Sequence, residues 1–232
     1  MAARKQISVI IPVLNEGGTI NLTLRQFSNI STTTSFEIIV VDGDRSGSTI
    51  KTIDFPGVKT AIAPKGRAIQ MNHGVTMASG KNLLFLHADT FLPNNALENI
   101  SALLSLTSIA YGAFELGIRS CKPVYRLIEK MVEFRTMITR IPYGDQAIFL
   151  TMDLFRQVKG YPEIPIMEDI ALMRRLKKQK ADFHVIPEKV STSPRRWETE
   201  GLAYCTIRNW LMAIGFLSGI NPKILAKYYR FE

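Results

Sequence analysis

The sequence is poor in the features that mark disulfide-stabilised, zinc-binding or membrane-spanning proteins. Its 232 residues include only two cysteines, Cys121 and Cys205, and neither has a zinc-like spacing to a histidine. We therefore expect no disulfide framework and a reducing, cytosolic setting. The longest uncharged apolar stretch, residues 210–220, is much shorter than the ~20 residues that a spanning helix needs. No transmembrane segment is expected.

Internal repeats and low-complexity linkers are also missing from the sequence. Hydrophobic residues make up 46% of the chain and charged residues 21%, so enough apolar side chains are present for a sizeable core. We expect one domain over residues 1–200, followed by a C-terminal amphipathic helical extension over residues 201–232.

Acidic residues are outnumbered by basic ones. The chain has 29 Lys and Arg against 20 Asp and Glu, a net charge of +9. Such a balance favours nucleic acid, an anionic membrane face or phosphorylated substrates as partners. A dense basic run at residues 174–180 has no interleaved aromatic residues, which argues against nucleic-acid binding. The run is typical of the solvated C-terminal end of a helix.

Short apolar runs alternate with helix-like segments through much of the chain. The predicted strands cover Ile7–Val13, 36–41, Val58–Ile62, 82–86, 108–118 and 184–186, with a short one near residue 149. The predicted helices cover 15–28, 66–79, 122–141, Glu168–Lys178 and much of the chain from residue 201. Continuous apolar strands between helical segments indicate a parallel sheet covered on both faces. Ligands of this doubly wound α/β class bind beyond the carboxyl ends of the strands.

Three aspartates fall where such a sheet would place a site. Asp42 directly follows the strand at 36–41, and Asp89 follows the strand at 82–86. Asp169 lies at the start of a predicted helix. A single aspartate in such a position is often only a turn residue or a helix cap. Two of them at strand ends of one sheet favour a shared site, because both point into the same crevice.

Three such carboxylates suffice for the transfer of a sugar from a nucleoside diphosphate. The departing diphosphate needs a hard cation such as Mg²⁺ or Mn²⁺, which one or two carboxylates hold together with the phosphate oxygens. The acceptor hydroxyl needs a base within hydrogen-bond reach. One metal-binding, one nucleoside-binding and one basic aspartate would complete the set.

Six motifs resemble those of family 2 glycosyltransferases and occur in that family's order over residues 7–200. They are Ser8-Val9-Ile10-Ile11-Pro12-Val13-Leu14-Asn15-Glu16, Val41-Asp42-Gly43 with Ser48-Thr49, Lys65-Gly66-Arg67-Ala68 with Met71-Asn72 and Gly74, His87-Ala88-Asp89, Met167-Glu168-Asp169, and Pro194-Arg195-Arg196-Trp197. His87-Ala88-Asp89 occupies the place of the Asp-x-Asp motif, which would be a weak signal alone. The resemblance implies a GT-A fold, with a mostly parallel central sheet and helices on both faces, and an inverting glycosyltransferase activity.

The resemblance also implies a role for each matching position. The nucleotide-binding residues would be Pro12, Val13, Glu16, Asp42, Lys65, Arg67, Asn72, Ala88, Asp89, Arg195 and Arg196. Within this set, Asp42 would bind the base and Asp89 would hold the Mg²⁺ or Mn²⁺. Asp169 would be the general base, and a single displacement would invert the anomeric centre. Asp145 and Glu168 are the acceptor-side candidates, and UDP is favoured over GDP as the nucleotide.

The sequence departs from the family pattern in two places. His87 replaces the first aspartate of Asp-x-Asp, and in an extended segment it would face the same side as Asp89. It would contact ribose or phosphate or cap the strand, and a direct metal bond is disfavoured. The turn after Asp42 contains Asp44-Arg45 instead of the usual residues. The pattern also resembles a small bacterial subgroup of rSAM/selenodomain-associated transferases.

The C-terminal segment is compatible with several kinds of contact surface. Residues 202–220 place Tyr204, Trp210 and Phe216 among aliphatic residues, with basic residues nearby. Such a helix is typical of a membrane interface, but it would equally complete the acceptor site or a homodimer interface. The net charge, and the lipid-linked acceptors frequent in the family, favour membrane association. We therefore expect a cytoplasmic protein, peripheral on the inner face of the plasma membrane, with an unidentified and lipid-linked acceptor.

Two other functions remain as alternatives at this stage. A nucleotidyltransferase of related fold would need a basic, glycine-rich loop after the first strand to hold a triphosphate. Here no cation occurs between that strand and Arg25, so glycosyl transfer is favoured. A non-catalytic nucleotide-binding module would bind its ligand without turnover, because fold alone does not fix function.

Overall fold

The central sheet accounts for the layout of the molecule. The computed structural model describes residues 5–30, 32–106 and 110–229, and within them a seven-stranded sheet has the order β3-β2-β1-β4-β6-β5-β7. The strands are β1 (Ile7–Val13), β2 (Phe36–Asp42), β3 (Val58–Ile62), β4 (Asn82–Phe85), β5 (Ala110–Ile118), β6 (Phe149–Thr151) and β7 (Asp182–Thr192). Only β6 runs antiparallel to its neighbours, β4 and β5.

Helices cover both faces of this sheet. They are α1 (Ile20–Asn29), α2 (Arg67–Met77), α3 (Ala96–Leu106), α4 (Pro123–Thr139), α5 (Met152–Gln157), α6 (Glu168–Lys178), α7 (Arg195–Glu200), α8 (Leu202–Leu217) and α9 (Pro222–Leu225). Successive side chains of β1 point to opposite faces of the sheet. Val9 and Ile11 pack in the hydrophobic cluster on one face, and Ile10 packs in the cluster on the other. The first cluster includes residues of α1, α3 and α4, and the second includes residues of α2, α5 and α6. The predicted doubly covered, mostly parallel sheet is confirmed.

Several predicted boundaries are confirmed and others need correction. The bounds of β1, β3 and α6 match the prediction. The helix predicted at 15–28 begins only at Ile20, because Asn15 has φ +56° and Gly17-Gly18 continue the turn. The strand predicted at 184–186 extends over β7, which pairs with β5 across an irregularity at Phe114/Glu115. Residues 108 and 109 of the predicted strand at 108–118 lie outside the described residues.

The helical C-terminal segment packs beside the sheet. Arg208 of α8 forms a 2.6 Å ion pair with Glu200 of α7, and both side chains are buried. Met212 and Leu225 form a small cluster with Ile166. Among residues 5–30, 32–106 and 110–229, no helix combines the length and the apolar character needed to cross a bilayer.

Candidate active site

One buried glutamine holds the carboxyl ends of β1 and β2 at their positions. The Gln70 side chain, on α2, donates hydrogen bonds of 2.7 Å to the carbonyl of Val13 and 2.8 Å to that of Val41. Its carbonyl oxygen would lie 2.9 Å from a Cβ at Gly43, so a larger residue there would collide with it. The two strand ends therefore form a fixed floor for any ligand bound at this edge of the sheet.

Asp42 organises the loop that follows β2. Its carboxylate is fully buried and accepts backbone hydrogen bonds from Asp44 (2.9 Å), Thr49 (2.8 Å) and Ile50 (3.2 Å). Three donors on one carboxylate fix residues 43–50 in a single conformation. Direct contact of Asp42 with a nucleoside stays a prediction, to which the structure adds this role in shaping the loop.

Glu16 joins the loop after β1 to two distant segments. Its backbone N–H donates a 3.0 Å hydrogen bond to Thr49 Oγ1, in the loop after β2. Its carboxylate forms a 2.8 Å ion pair with Arg195, the first residue of α7. Three segments that the sequence assigned to one nucleotide site, around residues 16, 49 and 195, are thus in direct contact.

The turn after β4 presents His87 and Asp89. The Thr23 hydroxyl bonds to the Ala88 carbonyl, and Arg119 donates a 3.1 Å hydrogen bond to the carbonyl of Asp89. Phe91 forms an isolated antiparallel bridge with Ser191 of β7. The backbone of this turn is therefore held from three sides.

The Asp89 carboxylate is left available by the same arrangement. The only hydrogen bond that it receives from a described side chain is a long one, 3.3 Å, from the Thr90 hydroxyl. Burial and the negative charge of Glu16 raise the pKa of Asp89, although Arg195 opposes the shift. A divalent cation would stabilise the charged carboxylate here, so the site fits a hard metal ion. Within the described residues no group of three or more His, Cys, Asp or Glu could hold a metal by itself, and phosphate oxygens would have to complete the coordination.

A narrow cleft at the ends of β1 and β4 brings together several candidates. It is lined by Pro12, Arg67, Met71, Phe85, Leu86, His87, Gly144, Tyr161, Glu168 and Asp169. Burial and the positive charges of Arg67 and Arg196 lower the pKa of His87 to about 3. The imidazole is therefore neutral at physiological pH and offers one donor and one acceptor to a ligand.

Asp169 lies in the first turn of α6, facing this cleft. Its Oδ2 accepts a 2.9 Å hydrogen bond from the backbone N–H of Gly144, and its Oδ1 accepts one of 2.7 Å from Ile170. The helix N-terminus adds a favourable field for a negative charge. The helix begins immediately after Met167, whose φ of +65° turns the chain into this position. These contacts hold the carboxylate in a fixed orientation.

Two more carboxyl groups lie close to Asp169. Burial, with the charge of Asp169, raises the pKa of Glu168 to about 7. Burial also raises the pKa of Asp145 to about 6, with further contributions from Asp169 and Asp89 and an opposing one from Arg135. Asp145 Oδ1 is buried without a hydrogen-bond partner among the described residues. Both groups therefore have an unusual tendency to hold a proton near neutral pH.

Comparison with known proteins identifies the family to which this arrangement belongs. Residues 8–156 match the sequence profile of glycosyl transferase family 2, which covers more than half of the chain. The chain belongs to glycosyl transferase family 2. Among curated protein sequences, none matches significantly. The narrower resemblance to the bacterial subgroup stays a prediction.

Solved structures support the GT-A fold of this family 2 member. A mannosyltransferase from Pyrobaculum calidifontis, in complex with GDP-Man and Mn²⁺, has a TM-score of 0.66 and 16% identity, covering 82% of this chain and 57% of that one. S. aureus TarS 1–349 in complex with UDP-GlcNAc has a TM-score of 0.64 and 18% identity, covering 81% and 58%. This chain therefore spans about three fifths of the length of these two structures, and the likeness concerns the fold.

The other residues predicted to bind the nucleotide lie on α2, just before it, and on α7. Lys65 is exposed just before α2, and Arg67 is the first residue of that helix. The Asn72 side chain exchanges two 2.9 Å hydrogen bonds with the backbone of Tyr161, which ties α2 to the loop before α6. Arg196 is hydrogen-bonded to the Tyr229 hydroxyl. Nucleotide contacts by these residues stay predictions.

Sequence motifs alone missed part of the cleft. Tyr161 is fully enclosed near Asp169, and burial raises its pKa well above the usual value. Gln70, which fixes the strand ends, lies within the donor-site helix motif, but the family resemblance implies no role for it. In the sequence, Gln70 is an amide residue between the apolar residues Ile69 and Met71. This pattern does not show whether the amide is buried and hydrogen-bonded or lies on the surface.

Proposed function

We propose that the protein is an inverting glycosyltransferase that moves a sugar from a nucleoside-diphosphate donor to an acceptor hydroxyl. The observation that carries the proposal is the position of Asp169 in the cleft that also contains Arg67 and His87. Both carboxylate oxygens of Asp169 accept backbone hydrogen bonds there. Family membership supports the same activity. UDP is the favoured nucleotide, and the alternatives of a nucleotidyltransferase or a non-catalytic module have no supporting observation of their own.

The donor diphosphate binds beside Asp89 in this proposal. Asp89 would hold a Mg²⁺ or Mn²⁺ ion, which neutralises charge on the departing diphosphate. Arg195 and Arg196 supply guanidinium groups, whose geometry suits phosphate oxygens. The neighbouring mannosyltransferase structure contains both GDP-Man and Mn²⁺, which supports a metal-bound donor. Asp42 and Glu16 define the base and ribose side of the pocket through the loops they hold.

Asp169 acts as the general base in the transfer. The acceptor oxygen attacks the anomeric carbon on the face opposite the diphosphate, forming the new glycosidic C–O bond. The bond from the anomeric carbon to the diphosphate oxygen breaks, and its electron pair leaves with the diphosphate. The hydroxyl proton passes to Asp169, whose carboxylate is oriented by the backbone N–H groups of Gly144 and Ile170. One displacement inverts the anomeric configuration.

Asp145 and Glu168 contribute the acceptor side. Each has a raised pKa, so each holds a proton more readily than an ordinary carboxyl and has the capacity to donate a hydrogen bond to an acceptor oxygen. Both lie close enough to Asp169 for its charge to raise their pKa values. They orient the acceptor hydroxyl in this scheme and leave proton removal to Asp169.

The segment from residue 201 is proposed as an extension that holds the protein at an anionic membrane surface, on the cytoplasmic side. Its helix α8 exposes several large apolar side chains, including Trp210, Leu211, Ile214 and Leu217. An exposed apolar stripe with a basic surround is typical of interfacial binding. Ile214→Glu should reduce flotation with phosphatidylglycerol vesicles, whereas Leu22→Glu, an equally exposed change on α1, should not. Equal flotation of both variants would count against membrane association.

Donor hydrolysis tests the transfer chemistry without a known acceptor. The protein is incubated with α-linked UDP- and GDP-sugars and Mn²⁺, and proton NMR follows the first sugar released, with water as acceptor. The proposal predicts initial release of the β-anomer, and release slowed by Asp169→Asn. Initial release of the α-anomer would contradict inversion, and nucleotide binding without any release would favour a binding module.

A further inference from the structure

Helix α4 has one buried face and one exposed apolar face. The buried face packs on the sheet and includes Tyr125, Ile128, Glu129 and Thr136. Large apolar side chains are nevertheless exposed on the rest of the helix: Val124, Leu127, Phe134, Met137 and Ile138. Since the opposite face already supplies the packing that a surface helix needs, this second apolar face marks a surface for contact with another molecule.

The spacing of this exposed face is that of a helix-pairing seam. The α4 seam consists of Val124, Leu127, half-buried Met131, Phe134 and Ile138, which follow one another at steps of three, four, three and four residues. In this heptad period, one helix packs against another with knobs-into-holes contacts. A helix that rests on a bilayer presents a wider apolar face and needs no such strict period. The seam therefore fits a second helix better than a lipid surface.

The charges of α4 indicate which helix fits. Arg126 and Glu129 form a 2.8 Å ion pair, and Arg135 donates a 2.9 Å hydrogen bond to the loop that follows the helix. Lys130 and Glu133 are both exposed and have no ion pair or hydrogen bond to any residue that the structure describes. At 3.6 residues per turn, both lie on the same side of the seam. One available cation and one available anion on the same edge make that edge complementary to a second copy of itself.

An antiparallel arrangement of two copies matches the apolar side chains of the seam. When Leu127 of each copy lies opposite Ile138 of the other, Met131 of each copy lies opposite Phe134 of the other. The seam then forms continuous apolar layers related by a two-fold axis, as in most homodimers. The helix dipoles also run in opposite directions in this arrangement.

The same arrangement pairs the available charges. In the antiparallel alignment, Lys130 of each copy lies close to Glu133 of the other, so two ion pairs flank the seam. In a parallel pair, Lys130 would instead face Arg135 of the other copy, because a residue at the seam edge meets the one five positions later. Like charges at that place oppose pairing. The charge pattern therefore favours the antiparallel orientation.

We propose that the α4 seam is a homodimer interface, in which α4 pairs antiparallel with α4 of a second copy of this chain. The helix also borders the catalytic cleft, since Arg135 and Thr136 both donate hydrogen bonds to the Gln146 side chain, next to Asp145. The pairing itself does not depend on the proposed transfer reaction. It places the homodimer contact on α4 and leaves the exposed face of α8 outside it.

Sedimentation velocity of the full chain over a range of concentrations tests the interface. A reducing buffer keeps the exposed Cys121 from forming a disulfide between copies. The seam is smaller than a standard interface, so we expect a dissociation constant of about 1–100 µM. Leu127→Glu places a charge in each half of the seam and should weaken association by at least about tenfold. Ile214→Glu on α8 is the matched control, because Ile214 and Leu127 are equally exposed, at 60%.

Charge reversal tests the antiparallel orientation. Lys130→Glu and Glu133→Lys should each weaken association by about threefold or more, and the double variant should restore it, because both ion pairs are reversed. These exposed positions have little effect on folding, which thermal melting checks.

A monomer at every concentration would overturn the proposal, as would association that Leu127→Glu leaves unchanged. Failure of the double charge reversal to restore association would overturn the antiparallel pairing. A monomer whose flotation with phosphatidylglycerol vesicles is lost in Leu127→Glu would assign the seam to a membrane and contradict the homodimer.

Discussion

The backbone N–H of Gly144 donates a 2.9 Å hydrogen bond to Oδ2 of Asp169, 25 positions later in the chain. Gly144 also packs against His87, whose Nε2 would lie 2.8 Å from a Cβ added to the glycine. One small residue thus contacts both the proposed base and the histidine of the altered Asp-x-Asp motif. Three segments distant in sequence, around residues 87, 144 and 169, therefore meet at this position.

Replacing Asp169 by asparagine should abolish most transfer while leaving donor binding intact. Asparagine retains an acceptor oxygen for Gly144 but cannot take the acceptor proton, so we expect turnover to fall by about 10²–10⁴-fold. Release of UDP or GDP from the donor measures turnover, and calorimetry measures binding. Asp153→Asn, an exposed aspartate in the first turn of α5, is the control and should be silent. Near-normal turnover in Asp169→Asn would remove Asp169 as the base.

Replacing Gly144 by alanine should damage the cleft through a steric contact. The new Cβ would lie under 3.0 Å from His87, so the ring or the loop has to move, at a cost of about 1–3 kcal/mol in unfolding free energy. Displacement of the Gly144 N–H would also lower turnover. Gly18→Ala is matched, because nothing lies within 4 Å of the added Cβ. Urea unfolding measures the unfolding free energy of both variants. Equal values would contradict the predicted steric clash between the added Cβ and His87.

Much of this site could be predicted from sequence, because its motifs depend on local backbone geometry. Asp42 ends β2, Asp89 lies in the turn after β4 and Asp169 lies in the first turn of α6, and these elements have a recognisable hydrophobic pattern in the sequence. The antiparallel pairing of β6 was not predictable, because Phe149–Thr151 is too short for a pattern. The pairing of Arg195 with Glu16 and the orphaned donors of Arg208 depend on tertiary packing. Contacts between residues far apart in the sequence cannot be predicted from the local pattern around either residue.

Removing the Arg195 side chain should weaken donor binding more than it affects stability. The Arg195–Glu16 pair is partly exposed, and such pairs contribute only about 0–1 kcal/mol to folding. The loss of a guanidinium beside the proposed diphosphate site should weaken UDP or GDP binding by about tenfold. Arg25→Ala breaks the exposed Arg25–Asp54 pair, of 2.9 Å, and should leave binding unchanged. Calorimetry compares the two, and equal affinities would place Arg195 outside the donor site.

The raised pKa of Glu168 predicts a loss of stability as pH rises. Its pKa is about 7 in the folded protein and 4.5 as the reference value, so between these values the folded state binds more protons than the unfolded state. The unfolding free energy should therefore decrease from pH 4.5 to 7 because of this group, and remain lowered above pH 7. Glu168→Gln removes the titration and should flatten that part of the profile. Urea unfolding at pH 5, 6, 7 and 8 measures it, and parallel profiles would contradict the assignment.

In the proposed donor site, the ends of β1, β2 and β4 bind a nucleoside diphosphate with a metal ion held by Asp89. Calorimetric titration of UDP and GDP, with and without Mn²⁺, on wild type, Asp89→Ala and the exposed control Asp153→Ala tests it most directly. We expect Mn²⁺-dependent binding of one nucleotide, lost in Asp89→Ala and retained in Asp153→Ala. Nucleotide binding that is absent, or that is indifferent to both Mn²⁺ and Asp89, would contradict it.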